Sequence, residues 1–440
     1  MDFSIKSLGE RTITTNSVLS AKIEDNYIIS DNDRLLYNTI ANKNDLIDFS
    51  SDITFELAGP RDHLYFNPAD IKSAIVTCGG LCPGINNVIR SIVMQTWYRY
   101  GSRSILGIKY GYSGLNPVKG YYPIELTPEL VRDIHLEGGT ILGSSRGGTE
   151  DMNIQVSTLQ HLGVSILYCI GGDGTLKGAH ELHQIAEKRG YKLAIIGVPK
   201  TIDNDISYIQ RSFGFETAFS TAVESIYSAH VEAEGAPNGI GLVKLMGRHS
   251  GFIAANAALA MNLVNFVLVP EISFDLYGPN GFLRHLEDRL LRRGHAVICV
   301  AEGAGQELIE KEKSGNEKTF DASGNTTLDD VGIFLKDKIK AHFKEKQIEI
   351  NLKYIDPSYI IRSAPACSND SIFCTMLGQY AVHAGMAGKT DCVIGQWNNV
   401  FTHIPIELAI SKRKEIDSQS PFWRSVLEAT GQPVSMLNEG

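Results

Sequence analysis

From residue 71 onward, short apolar runs alternate with glycine-rich turns and longer mixed segments. Ala74–Thr77 enters Cys78-Gly-Gly-Leu-Cys-Pro-Gly84, and Ser104–Ile108 enters Lys109-Tyr-Gly-Tyr-Ser-Gly114. Val164–Ile170 enters Gly171-Gly-Asp-Gly-Thr175, and Leu193–Val198 enters Pro199-Lys-Thr-Ile-Asp-Asn-Asp205. Apolar runs bounded by glycine read as buried strands, and segments such as Asn86–Trp97 read as helices. Their alternation predicts βαβ units and an α/β protein with mainly parallel sheet, ligands lying at the carboxyl strand ends. Further runs follow at Ile240–Leu245, Phe266–Val269 and Ala296–Val300, with Asp391–Ile394 near the end. Ile309–Asn325 reads as a charged surface loop, and Leu328–Phe343 as an amphipathic helix with a solvated Lys/Glu face. Residues 1–70 are polar with brief apolar bursts (Tyr27–Ile29, Ile53–Phe55) and predict an extension packed on the main body.

At 440 residues the chain supports more than one core, since single cores stop growing near roughly 250–300 residues. Hydrophobic residues make up 43% and charged residues 21%, the balance of an ordinary globular protein. A net charge of -9 argues against a general nucleic-acid or membrane-surface binder, though not against local basic clusters for anions. The seven cysteines are scattered, without zinc-site spacing, and predict reduced thiols. No signal-peptide pattern is visible and no run nears the roughly 20 apolar residues of a membrane helix, so a cytoplasmic address is expected.

The glycine turns carry the chemistry. In Gly171-Gly-Asp-Gly-Thr175 the glycines admit phosphate oxygens close to backbone N–H groups, and a helix following at Leu176 would aim its positive end at them. Asp173 can hold Mg²⁺, which reaches proteins through one or two carboxylates plus substrate phosphates. Asp203 and Asp205 are suited to be a base and its neighbour, or metal ligands; an Asx-rich turn is the alternative. Gly138–Gly148 offers small residues around Arg146, whose planar fork suits phosphate. Arg248 stands at another strand exit; the adjacent His249 could be a ligand or acid, although a lone histidine in such a turn is more often a hydrogen-bonded structural residue. Arg362 is a further candidate anion contact, and Glu302 could accept from a sugar hydroxyl. Arg61 and Lys109 are basic positions open to an effector or an adenine end.

Together these motifs resemble the phosphofructokinase family. The resemblance runs from about residue 71 to 410 through Thr77–Asn86, Gly139–Arg146, Gly171–Thr175, Pro199–Asp205, Met246-Gly-Arg248, Ala301-Glu-Gly303 and Tyr354–Arg362. With Ala58-Gly-Pro-Arg61 it is similar to the long branch found in plants, trypanosomatids and some bacteria. The resemblance implies two Rossmann-like three-layer α/β/α domains with mainly parallel sheets. A nucleotide domain would span 71–214 plus about 361–410, a sugar-phosphate domain 215–360 plus about 411–440, and residues 1–70 an extension.

It also implies roles. Asp203 resembles the base that takes the proton from the 1-hydroxyl of fructose 6-phosphate, with Thr201, Asp205 and Arg248 beside it. Asp173 resembles the Mg²⁺ carboxylate, and Gly80, Arg146, Gly172, Gly174, Thr175 and Lys200 the ATP phosphate cradle. Met246, Gly247, Arg248, Glu302, Lys353, Tyr359 and Arg362 resemble the sugar-phosphate contacts, together with Thr201 and Asp203. Lys353 stands where an arginine is usual, and Gly239 where an arginine of a neighbouring subunit is usual. Homodimers or homotetramers and nucleotide or metabolite effectors are what the family implies; a nucleic-acid or membrane partner is not expected.

Relatives using pyrophosphate tend to carry Asp at the position of Gly174 and Lys at that of Lys200. This chain has the glycine and the lysine. An aspartate would set a negative charge against the α-phosphate of ATP, costing several kcal/mol at roughly 4 Å and an effective dielectric of 20. Lysine attracts any polyphosphate, so Gly174 decides for ATP. A pyrophosphate-dependent enzyme and a catalytically silent regulatory subunit are the alternatives, although the latter should have lost Asp203 or Asp173. An NAD or lipid kinase would account for the Gly-Gly-Asp-Gly-Thr turn alone.

Overall fold

The computed structural model describes residues 2–15, 28–40, 53–148, 151–313 and 327–438. The chain divides into two compact units. One comprises Met1–Thr201, Ile206–Gly214 and Ser363–Arg413; the other comprises Ile202–Asp205, Phe215–Arg362 and Lys414–Gly440.

The first unit is built on a nine-stranded sheet among the described residues. Its order is Arg34–Leu36, Thr54–Leu57, Val400–Pro405, Cys392–Trp397, Ala194–Pro199, Ile166–Gly171, Lys72–Thr77, Ser104–Ile108 and Ile124–Glu125. The five strands from Cys392–Trp397 to Ser104–Ile108 are parallel, and the others join antiparallel. Central strands are apolar on consecutive positions because both faces are covered. Ala74, Val76, Leu167, Cys169 and Ile195 pack against Val156 and Leu159 of helix Met152–Leu162 and Leu176, Ala179 and Leu182 of helix Asp173–Lys188. The expected helix Asn86–Trp97 is α-helical over Ile85–Met94 and widens to a π-turn at Gln95–Tyr100, ended by Gly101 with φ 77°.

The N-terminal region is more than a surface extension, since it supplies two strands of this sheet. Phe55 is fully buried, and the neighbouring Glu56 anchors a buried charge network. Its carboxylate meets Arg61 at 3.1 Å, Lys389 at 2.8 Å and His403 Nδ1 at 2.9 Å. Asp31 completes the network, 2.8 Å from Arg61 and 3.1 Å from Lys389. Arg61 is therefore a buried structural cation rather than an effector contact. Of the burst Tyr27–Ile29, Tyr27 lies outside the described residues.

Among the described residues the second unit has four parallel strands in the order Phe266–Leu268, His295–Ala301, Gly239–Leu245 and Asn351–Ile355. Strand periodicity of two sorts its apolar residues onto two faces. Val243, Leu245, Val297, Cys299 and Ala301 face helices Phe215–Glu234, Phe252–Met261 and Pro421–Thr430. Ile240, Leu242, Ala296, Ile298 and Val300 face helices Phe282–Arg293 and Val331–Glu345. The last helix starts close to where the sequence puts it, capped by the Asp330 side chain on the Ile333 N–H. The expected loop Ile309–Asn325 begins instead as the end of a helix, Gln306–Glu312, and residues 314–325 lie outside the described set.

Candidate active site

In the first unit three adjacent strands deliver their turns to one sheet edge. Cys78 N–H donates to Ile170 O at 3.0 Å, and Lys200 N–H to Gly171 O at 2.9 Å, locking the turns together. Gly79, at φ 87°, donates to Ser145 O at 3.0 Å, while Ser144 Oγ donates to Gly79 O at 2.6 Å. These bonds bring the Gly138–Gly148 loop onto the first glycine turn. A Cβ built on Gly80 would lie 3.7 Å from a terminal nitrogen of Arg146, so that guanidinium rests against Gly80. The Lys200 ammonium donates to Gly80 O at 2.7 Å.

Beside them Gly172 precedes helix Asp173–Lys188, whose first N–H groups supply a positive end. Gly171 must be glycine, because a Cβ there would stand 2.0 Å from Thr175 Oγ1. Thr175 is buried under the turn, its carbonyl accepting from Tyr112 OH at 2.7 Å and its side chain packed against Gly171. At Gly174 the opposite holds: a Cβ would meet nothing within 4 Å. Asp173 sits next to this open face, 2.9 Å from Lys177 and 3.8 Å from Arg413. A partly exposed carboxylate on an open, cation-flanked face is a hard oxygen donor of the kind Mg²⁺ takes together with phosphates, and the residues present fit that ion. Thr201 ends the first segment of the unit, its carbonyl accepting from Ser212 Oγ at 2.6 Å.

In the second unit the strands Gly239–Leu245 and His295–Ala301 end side by side, and their exits carry Met246-Gly-Arg248 and Glu302. Glu302 N–H donates to Leu245 O at 2.9 Å, and Gly303 N–H to Gly247 O at 3.1 Å. The backbones approach so closely that a Cβ on Gly303 would lie 1.9 Å from Arg248 O. Gly247 has φ 123° and leaves no room for a side chain beside Ser250 O. Met246 is buried, and Arg362 Nε donates to its sulfur at 3.2 Å.

The turn Ile202–Asp205 belongs to this unit. Ser250 Oγ donates to Asp203 O at 2.9 Å, and Arg248 N–H makes a long 3.5 Å approach to Asp203 Oδ2. Burial, then the charges of Asp205 and Glu302, push the Asp203 carboxyl well above the usual range, against the opposing Arg248 N–H and Arg362 charge. Burial also raises Glu302, although Arg362, Lys244 and Arg248 pull it down. A carboxylate so destabilised in its charged form is a good proton acceptor near neutral pH.

Two further expected contacts take the following positions. Lys353 is in register with Gly241, four residues before the strand end at Leu245, or about 13 Å. Its ammonium lies 3.8 Å from Glu232, so it does not join Arg248 and Glu302. Tyr359 is 83% exposed on the short helix Ser358–Ser363. Gly239 is a packing residue, since a Cβ there would meet Ala233 O at 2.0 Å.

Sequence reasoning missed three groups. Lys414 N–H donates to Asp205 O at 2.8 Å, and burial lowers its ammonium to about 7 against the attraction of Asp205. Arg413 approaches Asp173, as noted above. Glu271 accepts from Gly251 N–H at 3.0 Å and Ile416 N–H at 2.9 Å, fixing the start of helix Phe252–Met261 behind Ser250. The run Ser411-Lys-Arg-Lys414 was the available signal for the two cations, but a charged tail segment resembles solvated surface.

Parallel α/β sheets with glycine turns and cations at their carboxyl strand ends define a phosphate-handling α/β protein. The phosphofructokinase family profile matches residues 72–385. An ATP-dependent 6-phosphofructokinase of Borreliella burgdorferi is 49% identical over 100% of this chain and 98% of its own. One of Amycolatopsis methanolica is 45% identical over 98% of this chain and 95% of its own. The chain belongs to the phosphofructokinase family. The crystal structure of Pichia pastoris phosphofructokinase has the same fold, with TM-score 0.62 and 21% identity; the match covers 82% of this chain and 37% of that longer one. No helix among the described residues is long and apolar enough to cross a membrane.

Proposed function

We propose that this chain is an ATP-dependent 6-phosphofructokinase, transferring the γ-phosphoryl group of Mg-ATP to the 1-hydroxyl of D-fructose 6-phosphate. The products are fructose 1,6-bisphosphate and ADP, as in glycolysis. The observation that carries the reading is Asp203: a base-like carboxyl, raised by burial and by Asp205 and Glu302, set beside Arg248.

In this reading Asp203 accepts the hydroxyl proton as the sugar oxygen bonds to the γ-phosphorus and the bond to the β-phosphate oxygen breaks. Positioning and charge neutralisation then carry most of the catalysis. Gly80, Arg146, Gly172, Gly174 and Lys200 hold the nucleotide phosphates, with Thr175 beneath them. Arg248, Glu302 and Arg362 orient the sugar phosphate, with Met246 and Gly247 shaping their support. Asp173 would hold Mg²⁺, which neutralises phosphate oxygens when bound. Lys353 and Tyr359 are left out of the sugar contacts on the placements above.

ATP over pyrophosphate is supported by the open face at Gly174, where the α-phosphate needs room. A screen of ATP, other triphosphates and pyrophosphate with fructose 6-phosphate tests the reading. Product formation with ATP and Mg²⁺ by the chain alone is expected. Turnover with pyrophosphate but not ATP would overturn the donor assignment, and none with either would favour a silent subunit. Homodimeric or homotetrameric assembly, tested by sedimentation, and a cytoplasmic location belong to the same reading.

A further inference from the structure

At the amino ends of the strands that carry Arg248 and Glu302, the second unit gathers two imidazoles and a carboxylate. His230 and Glu234 lie one helical turn apart in Phe215–Glu234 and so project from one face. His295 opens the strand His295–Ala301, in register with Gly239. The missing side chain of Gly239 lets the helix end sit directly against the start of the neighbouring strand Gly239–Leu245, at Ala233 O.

His230 Nε2 lies 3.4 Å from one oxygen of Glu234, and His295 Nε2 lies 3.8 Å from the other. The ring centroids are 5.6 Å apart, and all three donor atoms fall within 4.8 Å of one another. Both approaches are longer than an N–H···O hydrogen bond of about 2.7–3.2 Å. They are close to the donor–donor edges of a tetrahedral zinc site, about 3.3–3.4 Å for bonds of roughly 2.0–2.1 Å. His230 Nδ1 is buried without a hydrogen-bond partner among the described residues, so no protein contact there dictates the tautomer.

We propose that His230, Glu234 and His295 form a binding site for a zinc-like divalent transition cation, separate from the Mg²⁺ of phosphoryl transfer. Two imidazoles with one carboxylate suit Zn²⁺, Co²⁺ or Ni²⁺ and are poor ligands for Mg²⁺ or Ca²⁺. The imidazoles are anchored, with side chains 14% and 22% exposed, while the 55% exposed Glu234 side chain gives the ion its way in. Three protein ligands leave a position for water or a small anion. The strand from His295 to Ala301 spans about 20 Å, so the ion touches none of the reacting groups. It would instead clip the end of a helix to the start of a strand.

Chelator-treated full-length protein is titrated with Co²⁺ in excess Mg²⁺ while visible absorption and melting temperature are followed. The expected result is ligand-field absorption saturating at one Co²⁺ per chain, reversed by Zn²⁺, with a raised melting temperature. His230→Ala and His295→Ala should lose both signals. Glu234→Gln changes an exposed side chain and leaves the fold intact; it should weaken Co²⁺ binding at least 10-fold. Absence of the absorption in the unaltered protein, its persistence in both histidine variants, or unchanged affinity in Glu234→Gln would overturn the proposal.

Discussion

The Lys200 ammonium is tied to the Gly80 carbonyl at 2.7 Å, with only 6% of the lysine exposed. Its charge thus lies under the first glycine turn, where it holds the backbone and sets a positive potential beneath any bound polyphosphate. In the proposed reading a lysine placed this way does not choose between ATP and pyrophosphate, since its charge would lie beneath the phosphates of either.

Lys200→Met should therefore harm structure and nucleotide binding together. The Gly80 carbonyl loses its donor, at a cost of about 1–3 kcal/mol. The Michaelis constant for ATP should rise roughly 10-fold, since a charge-assisted contact is removed. Steady-state kinetics and urea unfolding measure the two effects, and an unchanged constant for ATP would remove Lys200 from the cradle.

Gly174→Asp separates room from charge. The new Cβ meets no heavy atom within 4 Å, so the melting temperature should hold. The carboxylate would face the α-phosphate, and kcat/KM for ATP should fall roughly 100-fold or more. Pyrophosphate use need not appear, because that donor requires its own contacts. A variant retaining full ATP activity would show that the α-phosphate lies elsewhere.

Asp203→Asn should lower kcat by about 10²–10⁴-fold while calorimetry finds fructose 6-phosphate binding nearly intact. The raised carboxyl predicts an acid limb in the pH–rate profile above the ordinary Asp value of about 3.9, with activity lost as Asp203 is protonated. Burial, the largest cause, survives Glu302→Gln, but one repelling charge disappears. The limb in that variant should move toward lower pH, whatever happens to its sugar affinity. A limb that stays in place would mean that another group titrates there.

Glu56 links pH to stability. Burial would raise its carboxyl, but the His403 hydrogen bond and the charges around it prevail and hold it at about 2, below the usual 4.5. A depressed carboxyl contributes stability above about pH 4.5 and loses it as pH falls toward 2. Glu56→Gln should cost roughly 3 kcal/mol at neutral pH and flatten the acid decline, because Arg61 and Lys389 lose a buried partner. Urea titrations of both proteins at neutral pH and at about pH 3 test this; equal losses at both would assign the cost to packing.

The strands Lys72–Thr77, Ile166–Gly171 and Ala194–Pro199 were legible because burial on both faces demands unbroken apolar runs. Their turns were legible because phosphate and tight backbone both require glycine. Asn351–Ile355 was not, since its solvent-facing Asn351 and Lys353 hide the strand among polar residues. Thr54–Leu57 escaped because Glu56 and the distant Lys389 and Arg61 neutralise each other only once the chain has folded. The same holds for Lys414, whose link to Asp205 spans some 200 residues of sequence. The place of Lys353 in register with Gly241 was not legible either, because charge and spacing say nothing of how far along a strand a side chain lies from its exit.

The five parallel strands of the first unit would make an adhesive surface wherever their hydrogen-bonding edge lay open. Among the described residues neither margin is such a strand. One side closes with Ile124–Glu125 and the other with Arg34–Leu36, both very short, antiparallel and bearing charge. Short charged margins give a second molecule little to template on. Removing Arg34–Leu36 and Thr54–Leu57 would bare the edge of strand Val400–Pro405, and such a truncated protein should aggregate on refolding.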